Sequence, residues 1–251
     1  DIVVVGGVRR SAMISLSDLE DSQMRTAKFG RWSDANPHRA LSNNSVCYES
    51  KPTMEQFMEE WKALYMSHSG ERGIFSRAAA KKLSPSRRDT NFDFGTNPCS
   101  EIVLRPNQFC NLTEVIVRPD DDLDSLKEKV RLATILGTLQ ATLTDFRYLR
   151  GIWKKNTEEE RLLGVSMTGI SDHPVLMNEK SIDLPRWLEE LKDVSIKTNK
   201  IWADKLGIPE STSITCVKPS GTVSQLCDTA SGIHPRYNSY YIRRVRQDNK
   251  D

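Results

Sequence analysis

Three side chains of complementary chemistry alternate along one short segment. Asn97, Cys99 and Glu101 supply an amide, a thiol and a carboxylate, and another thiol follows at Cys110. In extended backbone, alternate side chains point to one face, which would bring the first three groups together. A sulfur can exchange a hydrogen atom with carbon, a carboxylate can take a hydroxyl proton, and an amide can orient the neighbouring hydroxyl. The segment therefore favours a catalytic site for a polyol such as ribose.

Spacing alone leaves an inert, buried cysteine open as the alternative for Cys99, although its polar neighbours do not suit a plain core. The five cysteines form no CxxC pair, and the four histidines are scattered. No metal-ligand spacing results, so we predict no metal site. The odd cysteine count and the lack of an export signal favour reduced thiols.

Charge is nearly balanced, with 36 basic and 34 acidic residues and a net charge of +2. No long run of one sign appears, which argues against a nucleic-acid polymer or an anionic membrane as partner. No apolar run approaches the roughly 20 residues of a membrane helix. We therefore expect a cytoplasmic protein. The chain starts at Asp1 within an apparent buried strand, Ile2 to Val5, which indicates part of a longer polypeptide.

Strand-like and helix-like patterns alternate along the chain, which predicts an α/β fold with parallel strands. Thr53 and Gln56 form a capping box before an apolar stripe of Met54, Phe57, Trp61, Leu64 and Tyr65, which we interpret as core. A leucine stripe at positions 132, 136, 139 and 143 predicts a second helix, and a third should end at Gly207. Strands are expected at 109–117, 162–167 and 213–217.

The stretch from Ser213 to Ser224 reads as a strand, a turn of small residues and a helix. Such an arrangement aims backbone N–H groups and the positive helix end at an anion. It lacks the GxxxxGK[ST] pattern of a P-loop, so a phosphate site and a plain connecting turn both remain open.

Four motifs in register resemble one enzyme family. Asn97-Pro98-Cys99-Ser100-Glu101, with Cys110 eleven residues after Cys99, is similar to the finger loop of ribonucleotide reductase large subunits. The other motifs are Gly6 to Ala12, Lys218 to Thr222 and Ser231 to Pro235. The residue sequences of these motifs most resemble those of the monomeric, adenosylcobalamin-dependent (class II) ribonucleoside-triphosphate reductases.

The resemblance implies part of a ten-stranded α/β barrel of the ribonucleotide reductase and glycyl-radical-enzyme type, with a central finger loop. Residues 1–251 would form the central-to-C-terminal part of this one catalytic domain, without the N-terminal effector region and the C-terminal tail. It further implies adenosylcobalamin as cofactor, a ribonucleoside triphosphate as substrate, a deoxynucleotide effector and a thioredoxin-type reductant.

The resemblance also implies residue roles. Cys99 would become the thiyl radical that abstracts the 3′ hydrogen, Glu101 would act as base on the 3′ hydroxyl, and Asn97 would bind the substrate hydroxyls. Cys110 would be half of a redox pair whose partner lies outside this chain. The substrate phosphates would bind at Pro219, Ser220, Gly221, Thr222 and Val223, and the loop that links effector to substrate would comprise Gly6, Gly7, Val8, Arg9, Arg10 and Ser11.

Three alternatives stay open at this point. One is a class I-type subunit that acts on diphosphates with a separate radical-generating subunit. Another is a glycyl-radical enzyme, which would need a radical glycine in a C-terminal segment. The last is a catalytically incomplete nucleotide-binding fragment.

Overall fold

The computed structural model describes residues 12–242, so the predicted strand from Ile2 to Val5 and the predicted loop from Gly6 to Ser11 lie outside the described part. The chain forms two compact units. The first comprises Asp1–Asn111, Ala141–Leu162 and Pro209–Ser213. The second comprises Leu112–Gln140, Leu163–Ile208 and Ile214–Asp251.

Strands and helices alternate through the described residues, which confirms the predicted α/β class. Short 3-10 helices at Pro37–Leu41 and Ile170–Asp172 complete the regular elements. In chain order the elements are β1 (Met13–Ser17), α1 (Ser22–Thr26), α2 (Trp32–Ala35), β2 (Ser42–Tyr48), α3 (Met54–Ser67), β3 (Gly73–Ser76), α4 (Arg77–Leu83), β4 (Gly95–Thr96), β5 (Val103–Leu104), β6 (Asn111–Ile116), α5 (Leu123–Gln140), α6 (Gly151–Glu160), β7 (Leu163–Thr168), α7 (Asp183–Leu206) and α8 (Val223–Leu226).

The first unit is built on a parallel sheet in the order β1-β2-β3. Leu16 lies opposite Ser45, and Ser45 lies opposite Gly73. Val46 and Cys47 are buried at its centre. Parallel neighbours need crossover connections, and here these are helical. After β3 the chain leaves the sheet through α4, which leads towards the β4–β5 hairpin.

Helix α3 starts as its sequence predicts, because Thr53 and Gln56 form the capping box in both directions (3.2 and 3.0 Å). The prediction that its apolar stripe is core is wrong for Met54, Trp61 and Tyr65, which are all exposed. The helix instead turns the Glu60 carboxylate inward, where Arg72 and Arg25 bind it at 2.7 and 2.6 Å. The buried face of α3 therefore includes a paired carboxylate that the apolar pattern does not predict.

The second unit contains a parallel pair, β6 and β7. The Asn111 N–H donates to the Leu162 carbonyl at 3.2 Å, and the Val117 N–H donates to the Thr168 carbonyl at 2.9 Å, so register and direction agree at both ends. Of the predicted strand at 213–217, the structure shows a parallel bridge between Thr215 and Val165. This alignment leads the chain from the sheet into the 219–223 turn.

Helices α5 and α7 pack together in the second unit, and buried Asn199 donates to buried Thr138 between them at 3.0 Å. The helix predicted from the leucine stripe is present as α5, but Leu132, Leu136 and Leu139 are exposed and Leu143 lies beyond the end of the helix. Where α5 lies close to β7 its buried residues are Thr134, Gly137 and Thr138, and a Cβ at Gly137 would meet the Leu163 side chain at 3.4 Å. Helix α7 ends at Gly207 as predicted, with a left-handed φ of 64°.

Within residues 12–242, no helix is both long enough and apolar enough to cross a membrane.

Candidate active site

The predicted finger loop is the connection of an antiparallel hairpin. Gly95 pairs with Leu104 and Thr96 pairs with Val103, so residues 97–102 form the tip. The expectation of extended backbone at this tip is wrong. The Ser100 N–H donates to the Asn97 carbonyl at 2.9 Å, and Ser100 has a φ of 63°, so the chain turns tightly here. Asn97, Cys99 and Glu101 therefore lie on a tight turn, and strand alternation does not set the directions of their side chains.

Three polar side chains fix the tip. The Asn97 side-chain oxygen accepts from the Ile102 N–H at 3.0 Å, and the Thr96 hydroxyl donates to the Ile102 carbonyl at 3.0 Å. From β2, the Asn43 amide donates to the Pro98 carbonyl at 2.8 Å. Because its oxygen closes the loop, Asn97 has its NH₂ group to offer a substrate hydroxyl.

Cys99 and Glu101 lie on this turn in contrasting environments. Cys99 is exposed. Glu101 is partly buried, and its Oε2 is enclosed without a hydrogen-bond partner among residues 12–242. An enclosed carboxylate oxygen that accepts no bond is expensive unless something binds it, which makes Glu101 a candidate acceptor for a ligand proton.

Cys110 follows the hairpin and lies between two anchored residues. The Phe109 N–H donates to the Thr157 hydroxyl on α6 at 3.2 Å, and the Asn111 N–H donates to the Leu162 carbonyl at 3.2 Å. The Phe109 ring packs against Phe146 and Trp153, each with a centroid distance of 4.9 Å. The backbone around this partly buried thiol is therefore held on both sides.

A buried carboxylate lies at the base of the hairpin. Glu160, the last residue of α6, accepts from Arg88 ahead of β4 and from Arg105 and Gln108 after β5. Arg88 also donates to the Val103 carbonyl at 2.9 Å. The two chain segments that flank the finger loop therefore converge on one side chain.

The predicted phosphate loop belongs to the second unit. Ser220 is 5% exposed, has a φ of 54°, and donates its hydroxyl to the Glu114 carboxylate on β6. The Lys218 ammonium lies 3.9 Å from the same carboxylate. The Ser224 N–H donates to the Ser220 carbonyl at 3.1 Å, and the backbone N–H groups at the start of a helical turn precede the first intrahelical bonds.

The last two sequence motifs pack against each other. The Gly232 N–H donates to the Pro219 carbonyl at 3.0 Å. A Cβ on Gly232 would lie 1.9 Å from the Lys218 carbonyl oxygen, so this close approach requires glycine. The Ser231 hydroxyl accepts from the His234 N–H at 3.0 Å and tightens the turn that follows. The segment 231–235 thus shapes the loop at 219–223.

Cys47 is the buried cysteine of β2. Burial raises the pKa of the Cys47 thiol above its ordinary value, which favours the protonated, unreactive form and fits a structural role for this cysteine. In the described part of the chain, no cluster of three or more His, Cys, Asp or Glu side chains is arranged to hold a metal ion.

Several residues of the site were missed by sequence reasoning. Asn43 lies in β2 and contacts the finger loop, although the polar stretch Ser42–Ser45 has the composition of a turn. Arg88, Glu160 and Glu114 are ordinary charged residues in the sequence, and their contacts join positions 72 and 106 residues apart. No local pattern signals them.

Comparisons with known proteins agree with these motifs. No family model matches the chain. The adenosylcobalamin-dependent ribonucleoside-triphosphate reductase of Lactobacillus acidophilus is 31% identical over 97% of this chain, and that of Lactobacillus helveticus is 32% identical over 97%. The chain spans 36% of the length of each of these curated relatives.

Solved structures give the same result. A B12-dependent (class II) ribonucleotide reductase matches 88% of this chain and 34% of its own, with a TM-score of 0.69 and 25% identity. The alpha subunit of the Actinobacillus ureae class Id ribonucleotide reductase shares the fold, with a TM-score of 0.63 and 16% identity over 87% of this chain and 48% of its own. By sequence and by fold, the chain is therefore related to the ribonucleotide reductases.

Proposed function

We propose that this chain forms part of the active site of an adenosylcobalamin-dependent ribonucleotide reductase that converts ribonucleoside triphosphates to 2′-deoxyribonucleotides. The observation that carries the proposal is the hairpin tip, where an exposed thiol at Cys99 lies two residues from the enclosed, unpartnered Oε2 of Glu101. The relatives matched over nearly the whole chain are named as adenosylcobalamin-dependent enzymes, which favours this class over one with a separate radical-generating subunit.

The proposed chemistry divides the work among the tip residues. When bound, adenosylcobalamin supplies the radical equivalent that turns the Cys99 thiol into a thiyl, and the exposure of Cys99 fits direct access to it. The Cys99 thiyl takes the 3′ hydrogen atom of the ribose. Glu101 Oε2 accepts the 3′ hydroxyl proton, and the Asn97 NH₂ group donates to a substrate hydroxyl.

Loss of the 2′ hydroxyl as water leaves an intermediate that needs two reducing equivalents. Cys110 would supply one of them as half of a disulfide-forming pair, with its partner outside this chain. A thioredoxin-type protein would restore the pair. The firm backbone anchoring around Cys110 suits repeated bond formation at a fixed position.

The loop of Pro219, Ser220, Gly221, Thr222 and Val223 would bind the substrate phosphates through backbone N–H groups and the Thr222 hydroxyl. We further propose that residues 1–251 contribute to one ten-stranded barrel, that a deoxynucleotide effector acts through Gly6 to Ser11, and that the enzyme is cytoplasmic. These parts of the proposal rest on the likeness of the sequence motifs to the family.

The test measures conversion of CTP to its deoxynucleotide by the complete protein with adenosylcobalamin and a dithiol. Cys99→Ala should abolish turnover and leave CTP binding unchanged. Cys47→Ala is the matched control, because this buried cysteine lies in β2 and not at the tip; it should retain turnover. Turnover by Cys99→Ala at the parent rate would show that the proposed function is wrong.

A further inference from the structure

We propose that Glu160 is a positioning residue of the catalytic hairpin, which holds the tip and the Cys110 backbone in one fixed arrangement. The inference rests on the proposed function, because it assigns Glu160 a role in the geometry of that reaction. Glu160 itself lies at the base of the hairpin, below β4 and β5.

The contacts of Glu160 are directed at both sides of the hairpin. Arg88 Nε donates to Oε1 and Arg88 Nη2 donates to Oε2, both at 2.9 Å, which is a two-bond fork. From the far side of the loop, Arg105 Nη2 lies 3.2 Å from Oε1 and Gln108 Nε2 donates to Oε2 at 2.7 Å. Each carboxylate oxygen of Glu160 therefore bonds one residue before the hairpin and one residue after it.

Because the cluster is buried, loss of any of these bonds would be energetically costly. Glu160 is 0% exposed, and Arg88, Arg105 and Gln108 are nearly as buried. A buried carboxylate needs its partners, and two buried guanidinium groups need a nearby anion. The arginines are also confined by aromatic rings, since Arg88 lies 4.4 Å from the Phe94 centroid and Arg105 lies 3.9 Å from that of Phe92. The cluster leaves the hairpin base one favourable arrangement.

The same cluster extends to the redox cysteine. The Arg105 N–H donates to the Gln108 side-chain oxygen at 2.7 Å, and Gln108 donates to the Asn156 carbonyl on α6 at 3.1 Å. Thr157, one helical turn before Glu160 on α6, accepts from the Phe109 N–H beside Cys110. The end of helix α6 thus carries the bonds that fix both the hairpin and the segment before Cys110.

This arrangement predicts a specific kinetic effect. A shift of about 1 Å at the reacting groups costs roughly 100-fold in rate, even when the altered residue lies away from the chemistry. The proposed phosphate contacts are made by the 219–223 loop and not by the hairpin. Loss of the Glu160 charge should therefore lower kcat about 100-fold and leave the KM for the nucleotide nearly unchanged.

The experiment compares the complete protein with its Glu160→Gln variant, using CTP and adenosylcobalamin, and records kcat, KM and the circular-dichroism melting curve. Glu159→Gln is the matched control: Glu159 also bonds Arg105, at 2.9 Å, but its side chain is 47% exposed. Because the Glu159 carboxylate is about half exposed, water can replace it at Arg105, which keeps its buried contact with Glu160, so this variant should behave like the parent. If Glu160→Gln fails to fold, Arg88→Lys decides, because it keeps the charge and loses the fork.

A fall in kcat with unchanged KM in the folded variant supports the positioning role. Parent-like kcat in Glu160→Gln, or in Arg88→Lys, overturns it, as does an equal loss of nucleotide affinity, which would indicate a general structural role. Cys99→Ala, measured alongside, separates the two proposals. If that variant turns over, the proposed function fails; if it is dead while Glu160→Gln is fully active, the positioning role alone fails.

Discussion

Substitution of Gly232 by alanine should displace the proposed phosphate loop. The new Cβ would lie 1.9 Å from the Lys218 carbonyl oxygen and 3.2 Å from the Met167 carbonyl oxygen, whereas real Cβ contacts essentially never fall below 3.0 Å. The two segments must therefore separate by about 1 Å. Overpacking of this kind costs about 1–3 kcal/mol, and loss of the bond from Gly232 to Pro219 adds about 1 kcal/mol.

Two readouts follow from this magnitude. Local destabilisation by about 2–4 kcal/mol should speed amide hydrogen exchange in peptides that cover residues 216–234, measured by mass spectrometry on the complete protein. Displaced N–H groups should also lose bonds to the substrate phosphates, each worth about 1.5–3 kcal/mol, which raises the KM for CTP about tenfold or more.

Gly151→Ala is the control, since a Cβ at Gly151 would meet no atom within 4 Å and the residue lies at the start of α6. Its exchange in the 216–234 peptides and its KM should match those of the parent. Parent-like exchange and KM in Gly232→Ala would refute the packing of the two motifs, and parent-like KM with faster exchange would refute the assignment of the loop to phosphate.

Two further predictions concern carboxylates. Glu101→Gln should lower kcat by about 10²–10⁴-fold with little change in CTP affinity, because it removes the proton acceptor; steady-state kinetics and equilibrium dialysis measure the two, and full activity would contradict the role. Burial raises the pKa of Glu60, but bonds from Arg72 and Arg25 outweigh it and hold the pKa below the ordinary value. The stabilisation is therefore present at neutral pH and is lost as the pH falls below about 4. Glu60→Gln should lower the free energy of unfolding by about 3–5 kcal/mol at pH 7 and by clearly less in acid. Urea denaturation at the two pH values measures both. A loss independent of pH would contradict this reasoning.

Local signals in the sequence predicted the elements well. The capping box before α3 and the glycine after α7 act within a few residues of the boundaries they set, and the structure confirms both. The parallel strands follow from the alternation of apolar runs with amphipathic helices. In each case the physical cause lies within the stretch of sequence that predicts it.

The buried faces of the helices and the geometry of the loops were harder to predict from the sequence. The tip turns because the Ile102 backbone N–H donates to the Asn97 side-chain oxygen and Ser100 has a positive φ, so the backbone is not extended as the alternating pattern would require. Met54, Trp61 and Tyr65 of the apolar stripe of α3 are exposed, whereas Glu60 is buried against two arginines. The Glu160 cluster joins residues far apart in sequence, and only the folded chain shows that they meet.

The most direct test of the central claim follows the corrinoid absorbance by stopped flow when the complete protein is mixed with adenosylcobalamin, CTP and a deoxynucleotide effector. A rapid absorbance change in the parent that is absent in Cys99→Ser is the predicted result, since radical transfer should require the thiol at the hairpin tip. The same change in both proteins would contradict the role of Cys99, and no change in either would contradict the cofactor.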